Sequence, residues 1–173
     1  MEDIKFKIGI TKNQINELIE YSKNDPQIIN NTNDLVRFSD KRVFNNWIKI
    51  ERTIYTLTNK AGNLLGIIWF RNQPLPTDKQ FVVKIDIEKF GTTFGIRIYE
   101  PARGKGLSNR FLKNAFEKYK ETDSYKNTHA KGFWLSTKNE NVIAKKLYEK
   151  FGFQVVSSED KLGRIVMLSH NLD

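Results

Sequence analysis

Arg103-Gly104-Lys105-Gly106-Leu107-Ser108 sets two glycines among cationic residues just before a segment of helical periodicity. Glycine lets a backbone take unusual angles and approach a bulky anion. The first N–H groups of a helix lack partners and sit at its positive end. A pyrophosphate suits such a corner, with Arg103 and Lys105 adding charge and Ser108 a hydroxyl donor. Two familiar phosphate loops are absent: there is no GxxxxGK[ST], and Asn109 stands where the third glycine of GxGxxG would fall. That argues against a nucleoside-triphosphate or dinucleotide fold. Taken alone, the loop reads equally as a phosphate cradle and as a plain tight turn.

A second constellation lies some forty residues on. Asn141, Ala144 and Tyr148 fall at i, i+3 and i+7, one stripe of a helix that combines an amide, a gap left by alanine and a phenol. Such a stripe could line a narrow cofactor channel. An isolated helical tyrosine can equally cap a core with its hydroxyl in water. Ile143, Leu147 and Phe151 occupy the neighbouring stripe and are expected to face the core.

Together the two features resemble the GNAT superfamily of acyl-CoA-dependent N-acetyltransferases, closely over residues 94–155. The R/Q-x-x-G-x-G/A signature matches Arg103 to Ser108, with serine in place of the final Gly or Ala, and N-x-x-A-x-x-x-Y-x-x-x-G-F matches Asn141 to Phe153. The resemblance implies an α/β fold: a mixed, mostly antiparallel sheet flanked by helices, with splayed central strands. It implies acetyl-CoA as co-substrate and no metal. Ile98, Tyr99 and Glu100 would offer main-chain groups to the pantetheine arm. Arg103, Gly104, Lys105, Gly106, Leu107 and Ser108 would bind the pyrophosphate, Asn141 would hydrogen-bond the pantetheine, and Tyr148 would act as general acid toward the leaving thiolate.

A substrate amine would attack the thioester directly in a ternary complex, its carbonyl polarised by the N–H of Ile98 or Tyr99. The central strand TFGIRIY carries no acid, so Glu100, Glu51 and Asp86 are the candidates for the base. Arg97 either anchors a carboxylate or phosphate of the substrate or points to solvent. The implied acceptor is a primary amine of a small molecule or protein. The competing readings are an inactive CoA-binding sensor or interaction module, and an acetyltransferase acting on a charged RNA. A homodimer is compatible with the resemblance.

The chain must supply elements to position these residues, and its 173 residues suit one domain, taken as residues 1–173. Alternation over residues 4–10 predicts a strand. Thr11 and Gln14 have capping-box spacing ahead of a helix carrying Ile15, Leu18 and Ile19, which Asp25-Pro26 ends. NNTND at 30–34 reads as loop, and a second helix begins near Ser39 with Val43, Phe44, Trp47 and Ile48. RTIYTLT and LLGIIWF outline a hairpin around residues 59–63. FVVKIDI could be a strand, separated by Gly91 from TFGIRIYE. After the glycine loop come a helix through Tyr119, a strand GFWLST, and a helix opened by the Thr137–Glu140 spacing and closed by Gly152. A final hairpin turns around residues 160–163. The order predicts one α/β domain with a mixed sheet.

Composition narrows the function. There is no cysteine, which removes disulfides, thiolate metal sites and a cysteine nucleophile. His129 and His170 lie far apart without metal-ligand spacing. Twenty-nine Lys and Arg against 20 acids give a net charge of +9, a field that favours a phosphate-bearing partner and disfavours a strongly cationic substrate. The same surplus can serve only solubility. No basic block marks a nucleic-acid tail, and no apolar run approaches the ~20 residues of a membrane helix. MEDIKFKIGI has no signal-peptide core, so the expected location is the cytoplasm.

Overall fold

The computed structural model describes residues 4–170. In chain order the elements are β1 (Lys5–Ile8), α1 (Lys12–Asn24), α2 (Pro26–Asn31), α3 (Asp34–Arg37), α4 (Lys41–Ile48), β2 (Thr53–Thr58), β3 (Leu64–Asn72) and β4 (Phe90–Ile98). They continue with α5 (Leu107–Lys120), α6 (Asp123–Lys126), β5 (Gly132–Lys138), α7 (Val142–Lys150), β6 (Gln154–Val155) and β7 (Arg164–Ser169). The strand order is β1-β2-β3-β4-β5-β7-β6. The β1–β2, β5–β7 and β6–β7 pairs are antiparallel and the β4–β5 pair is parallel. The sheet is thus mixed and mostly antiparallel, as expected. Contacts divide the chain into two compact units, residues up to 69 with 96–115, and residues 70–95 with 116 onward.

In the first unit the predicted capping box is present. The Thr11 hydroxyl accepts from the Gln14 N–H, and the Gln14 side chain accepts from the Thr11 N–H, so two otherwise unpaired donors at the helix start are satisfied. That start turns Leu18 inward, where it packs with Phe38, Phe44, Ile54, Leu64, Ile67, Trp69 and Tyr99. Each large side chain so buried contributes about 1.5–3 kcal/mol. Asp25 both ends α1 and caps α2, accepting from the N–H groups of Gln27 and Ile28, with Pro26 fixing the first helical position. The loop expected over residues 30–34 is therefore shorter: Asn30 and Asn31 close α2, and Asp34 opens α3. Thr32 makes the sharp change of direction possible, donating to the Ile28 carbonyl and accepting from the Asp34 N–H. Asp40 caps α4 through the Val43 N–H.

The second unit is built on aromatic packing. Phe70 stacks on Tyr119 at 4.2 Å, and Phe116 meets Phe70, Phe94 and Phe133 edge-on, each at 4.9 Å. Leu75, Phe90, Trp134, Val156, Val166 and Leu168 form a separate core cluster.

Several expectations for this unit need correction. FVVKIDI is not a strand: Phe81 makes one bridge to Ser157, Val82 and Val83 are exposed, and the segment runs into a 3-10 turn at Ile87–Lys89. Gly91 does not interrupt the chain but lies inside β4, where the register slips between Phe90 and Thr92. A Cβ there would stand 2.7 Å from that of Ala130, so close approach explains the glycine.

Thr137 does not cap a helix. It lies in β5 opposite Ile165, and the cap of α7 is Asn141, whose side chain accepts from the Ala144 N–H. The α7 stripe of Ile143, Leu147 and Phe151 does not face the core as expected, since Leu147 and Phe151 are only half-buried. Ile143 is 79% exposed and Tyr148 is the buried residue. Gly152 does close the helix, at φ 76°, with the Phe153 N–H returning to the Tyr148 carbonyl.

Candidate functional site

The geometry is set where β4 gives way to the glycine loop. Gly66 on β3 lets the two strands close up: a Cβ there would lie 2.8 Å from the Arg97 carbonyl oxygen. The Tyr99 N–H donates to the Leu65 carbonyl at 3.0 Å. Because successive N–H groups of a strand point to opposite edges, that of Ile98 faces away from β3. The chain then makes a 3-10 turn at Glu100–Ala102, in which the carbonyls of Tyr99 and Glu100 accept from the N–H groups of Ala102 and Arg103. The Arg103 Nε donates to the Ile98 carbonyl, and its Nη2 reaches the Asp25 carboxylate at 2.6 Å.

These bonds correct one part of the sequence reading. The main-chain groups of residues 98–100 do not generally lack partners: the Tyr99 N–H and three carbonyls are engaged. Tyr99 is thereby removed as an oxyanion donor, which leaves Ile98 of the two. Arg103 likewise has its charge answered by Asp25, and acts by bracing the loop against the start of α2.

Beyond Arg103 the loop suits a phosphate. Gly104 and Gly106 take φ values of 73° and 68°, backbone that glycine adopts without strain, and nothing lies within 4 Å of where their Cβ atoms would be. Lys105 is exposed, Ser108 half-buried, and Leu107 buried at the start of the 14-residue α5. A helix of that length carries a positive N-terminal end.

Arg97 does neither of the things expected of it. It is not solvated, and it is not an open anchor. Its Nε and Nη2 grip both oxygens of Asp34 at 2.5 and 2.9 Å, and its Nη1 donates to its neighbour Ile96. Arg37 adds a bond of 2.7 Å to the same carboxylate. Burial alone would raise the Asp34 carboxyl. The two guanidiniums outweigh it and hold the group below its usual value. Sequence reasoning missed Asp34 by assigning it to a loop, although the Asp34–Arg37 spacing at i, i+3 was a visible signal.

Tyr99 is fully buried and stacks on Tyr21 at 4.2 Å, with the rings 9° from parallel. Burial, reinforced by the Asp34 charge, pushes its phenol well above the usual range, so it remains a neutral donor. Its hydroxyl has no hydrogen-bond partner in this structure. The Tyr21 phenol is raised by burial and then by Glu17, Glu100 and Asp25. Of the candidate bases, Glu100 is thus placed near this stack. Glu51 is exposed, and Asp86 pairs with Lys89 at 3.3 Å in the second unit.

That unit also holds Asn141 and Tyr148. Tyr148 is 7% exposed and packs edge-on against Phe94 at 5.9 Å and Phe153 at 6.2 Å, which fixes its ring direction. The β4–β5 register ends at Thr93 opposite Trp134. Among the described residues no group of three His, Cys, Asp or Glu is placed to hold a metal, and no helix is long and apolar enough to cross a membrane.

In this mixed sheet β4 thus passes through an open glycine loop into the long helix α5. The acetyltransferase (GNAT) family model matches residues 15–153, and the chain belongs to that family. Among curated proteins no sequence matches.

Solved structures share the fold. A proposed acetyltransferase of Acinetobacter baylyi superimposes with a TM-score of 0.69 at 17% identity, over 98% of this chain and 92% of that one. Spermidine N-acetyltransferase from Vibrio cholerae, in complex with CoA and spermine, gives 0.67 at 15% identity, over 96% and 93%. An aminoglycoside acetyltransferase with coenzyme A and kanamycin gives 0.66 at 14% identity, over 96% and 94%. At such identities the likeness is one of fold.

Proposed function

We propose that the protein is an N-acetyltransferase that moves an acetyl group from acetyl-CoA to a primary amine, by direct attack in a ternary complex. The observation that carries this reading is the loop after β4, where two glycines at positive φ leave open space before the N-terminus of α5. The co-substrate supplies the acetyl group as an activated thioester. The main-chain N–H groups of residues 104–108, with Lys105 and the Ser108 hydroxyl, bind the pyrophosphate. Arg103 holds the loop in place through Asp25.

The Ile98 N–H donates to the carbonyl oxygen under attack, and the Asn141 side-chain amide donates to the pantetheine arm. Glu100 takes the proton that the amine must lose. Tyr148 gives its phenolic proton to the departing sulfur, a role helped by the fixed direction of its ring. Residues 1–173 act as one acetyltransferase domain.

The test has two parts. Acetyl-CoA raises the melting temperature at concentrations well above micromolar, and free CoA thiol appears when a suitable amine is added. An unchanged melting temperature would remove the cofactor assignment. A shift without thiol release from any amine would leave a binding module in place of an enzyme.

A further inference from the structure

Three guanidinium groups lie over one aromatic cluster of the first unit. Phe38, Trp47 and Trp69 meet edge-on, with Trp47 and Trp69 centred 5.4 Å apart. Arg97 sits 4.9 Å from the Trp69 ring centre and Arg37 5.5 Å, while Arg52 lies 4.2 Å over Trp47. Arg37 and Arg97 share the fully buried Asp34 carboxylate, so that trio carries a formal charge of +1. Exposure is graded along it: Asp34 0%, Arg97 13% and Arg37 32%. The outermost guanidinium is therefore held in a fixed direction by a buried frame and an aromatic floor, which suits planar recognition of an oxyanion.

The Tyr99 hydroxyl adds a neutral buried donor with no acceptor. A group of this kind is left to be completed by an oxygen from water or ligand. Tyr21, stacked on Tyr99, lies close to Glu17, Glu100 and Asp25. Residues of opposite charge thus flank one tyrosine pair. An acceptor with a cation alone would meet the acids but also the guanidiniums, in a protein of net charge +9.

We infer that the acceptor is an amine carrying an anionic group, a carboxylate or a phosphate, a few bonds from its nitrogen. Arg37 binds the anion, Arg97 and Asp34 hold Arg37 in direction, and the amine lies toward Glu100. This rests on the acetyltransferase reading above and names its substrate class.

Matched pairs of amines test it, with thiol release followed at fixed acetyl-CoA: alanine against ethylamine for the carboxylate, phosphoethanolamine against ethanolamine for the phosphate, and spermidine as the purely cationic control. The anionic member of at least one pair is expected to show a kcat/KM at least about tenfold higher than its partner. Which pair responds identifies the anion. In Arg37→Gln the ratio falls toward one, and in Arg37→Lys, which keeps the charge but loses the fork, it falls part of the way. Melting temperatures with and without acetyl-CoA show whether each variant is folded and still binds the co-substrate. Equal rates within both pairs, a preference for spermidine, no release from any of these amines, or a ratio unmoved in folded Arg37→Gln would each overturn the inference. If the acetyl-CoA shift persists in those cases, only the acceptor class fails; if it is missing in the wild-type protein, the acetyltransferase reading fails first.

Discussion

Asp34 is the residue on which most depends. Replacing it with Asn removes the charge that two guanidiniums share while leaving them partly buried, and such a break costs about 3–5 kcal/mol. Its carboxyl titrates below the unfolded value, so its contribution is complete above about pH 4 and is lost as pH falls through the lowered native value. Melting curves of wild type and Asp34→Asn are therefore expected to stay a constant distance apart from about pH 5 to 7 and to converge in stronger acid. Tyr148→Phe removes one oxygen from a well-packed ring, so the fold and acetyl-CoA affinity stay near wild type while turnover falls about 10-fold or more. Equal thiol release would show that the phenol is not the acid. The turn at Gly104 and Gly106 and the helix carrying Asn141 and Tyr148 were legible in the sequence because their spacing is local. Asp34 was signalled only by its i, i+3 spacing to Arg37, because its other partner Arg97 stands 63 residues away and only tertiary structure joins them.

Elements were legible where apolar period and cap agreed. The capping box at Thr11 and Gln14 gave α1 its start, and the period of Phe111, Leu112, Ala115, Phe116 and Tyr119 gave α5 its buried side. The exceptions have physical causes. Thr137 and Glu140 have the spacing of a cap, but Thr137 is claimed by the β5–β7 ladder, and the cap passes to Asn141. Asp25-Pro26 reads as a stop, yet the same pair is the start signal of α2, since an aspartate cap followed by proline at the first position serves both. In the glycine loop, Gly106→Val forces a branched side chain into φ near 68°, at a cost of about 1–2 kcal/mol. Nothing else crowds that position, so the variant is expected to fold with a modestly lower melting temperature. Its main defect is weaker acetyl-CoA binding, read by titration. Unchanged affinity would make the loop a turn and no more.

At the scale of the whole molecule, the charge of +9 and the proposed acetyl-CoA co-substrate lead to a salt-dependent prediction. Acetyl-CoA at about 100 times its dissociation constant stabilises by about 2.7 kcal/mol, or roughly 5–10 °C for a chain of this size. Raising ionic strength toward about 1 M is expected to shrink the shift, because phosphate contacts on an exposed loop are screened. A shift indifferent to salt would argue that apolar contacts dominate binding. Fold class was open to sequence reasoning because element order alone selects a mixed sheet; strand order was not, because adjacency is decided by long-range pairing. That order bears on how the chain is made. β7 enters between β5 and β6, which are synthesised before it. Until residues 164–169 emerge, β5 and β6 each present an unpaired edge, so the nascent second unit stays open until they do. Slow elongation across this stretch, or premature termination before it, prolongs the interval in which the growing chain can pair with its neighbours on a polysome and be lost to aggregates.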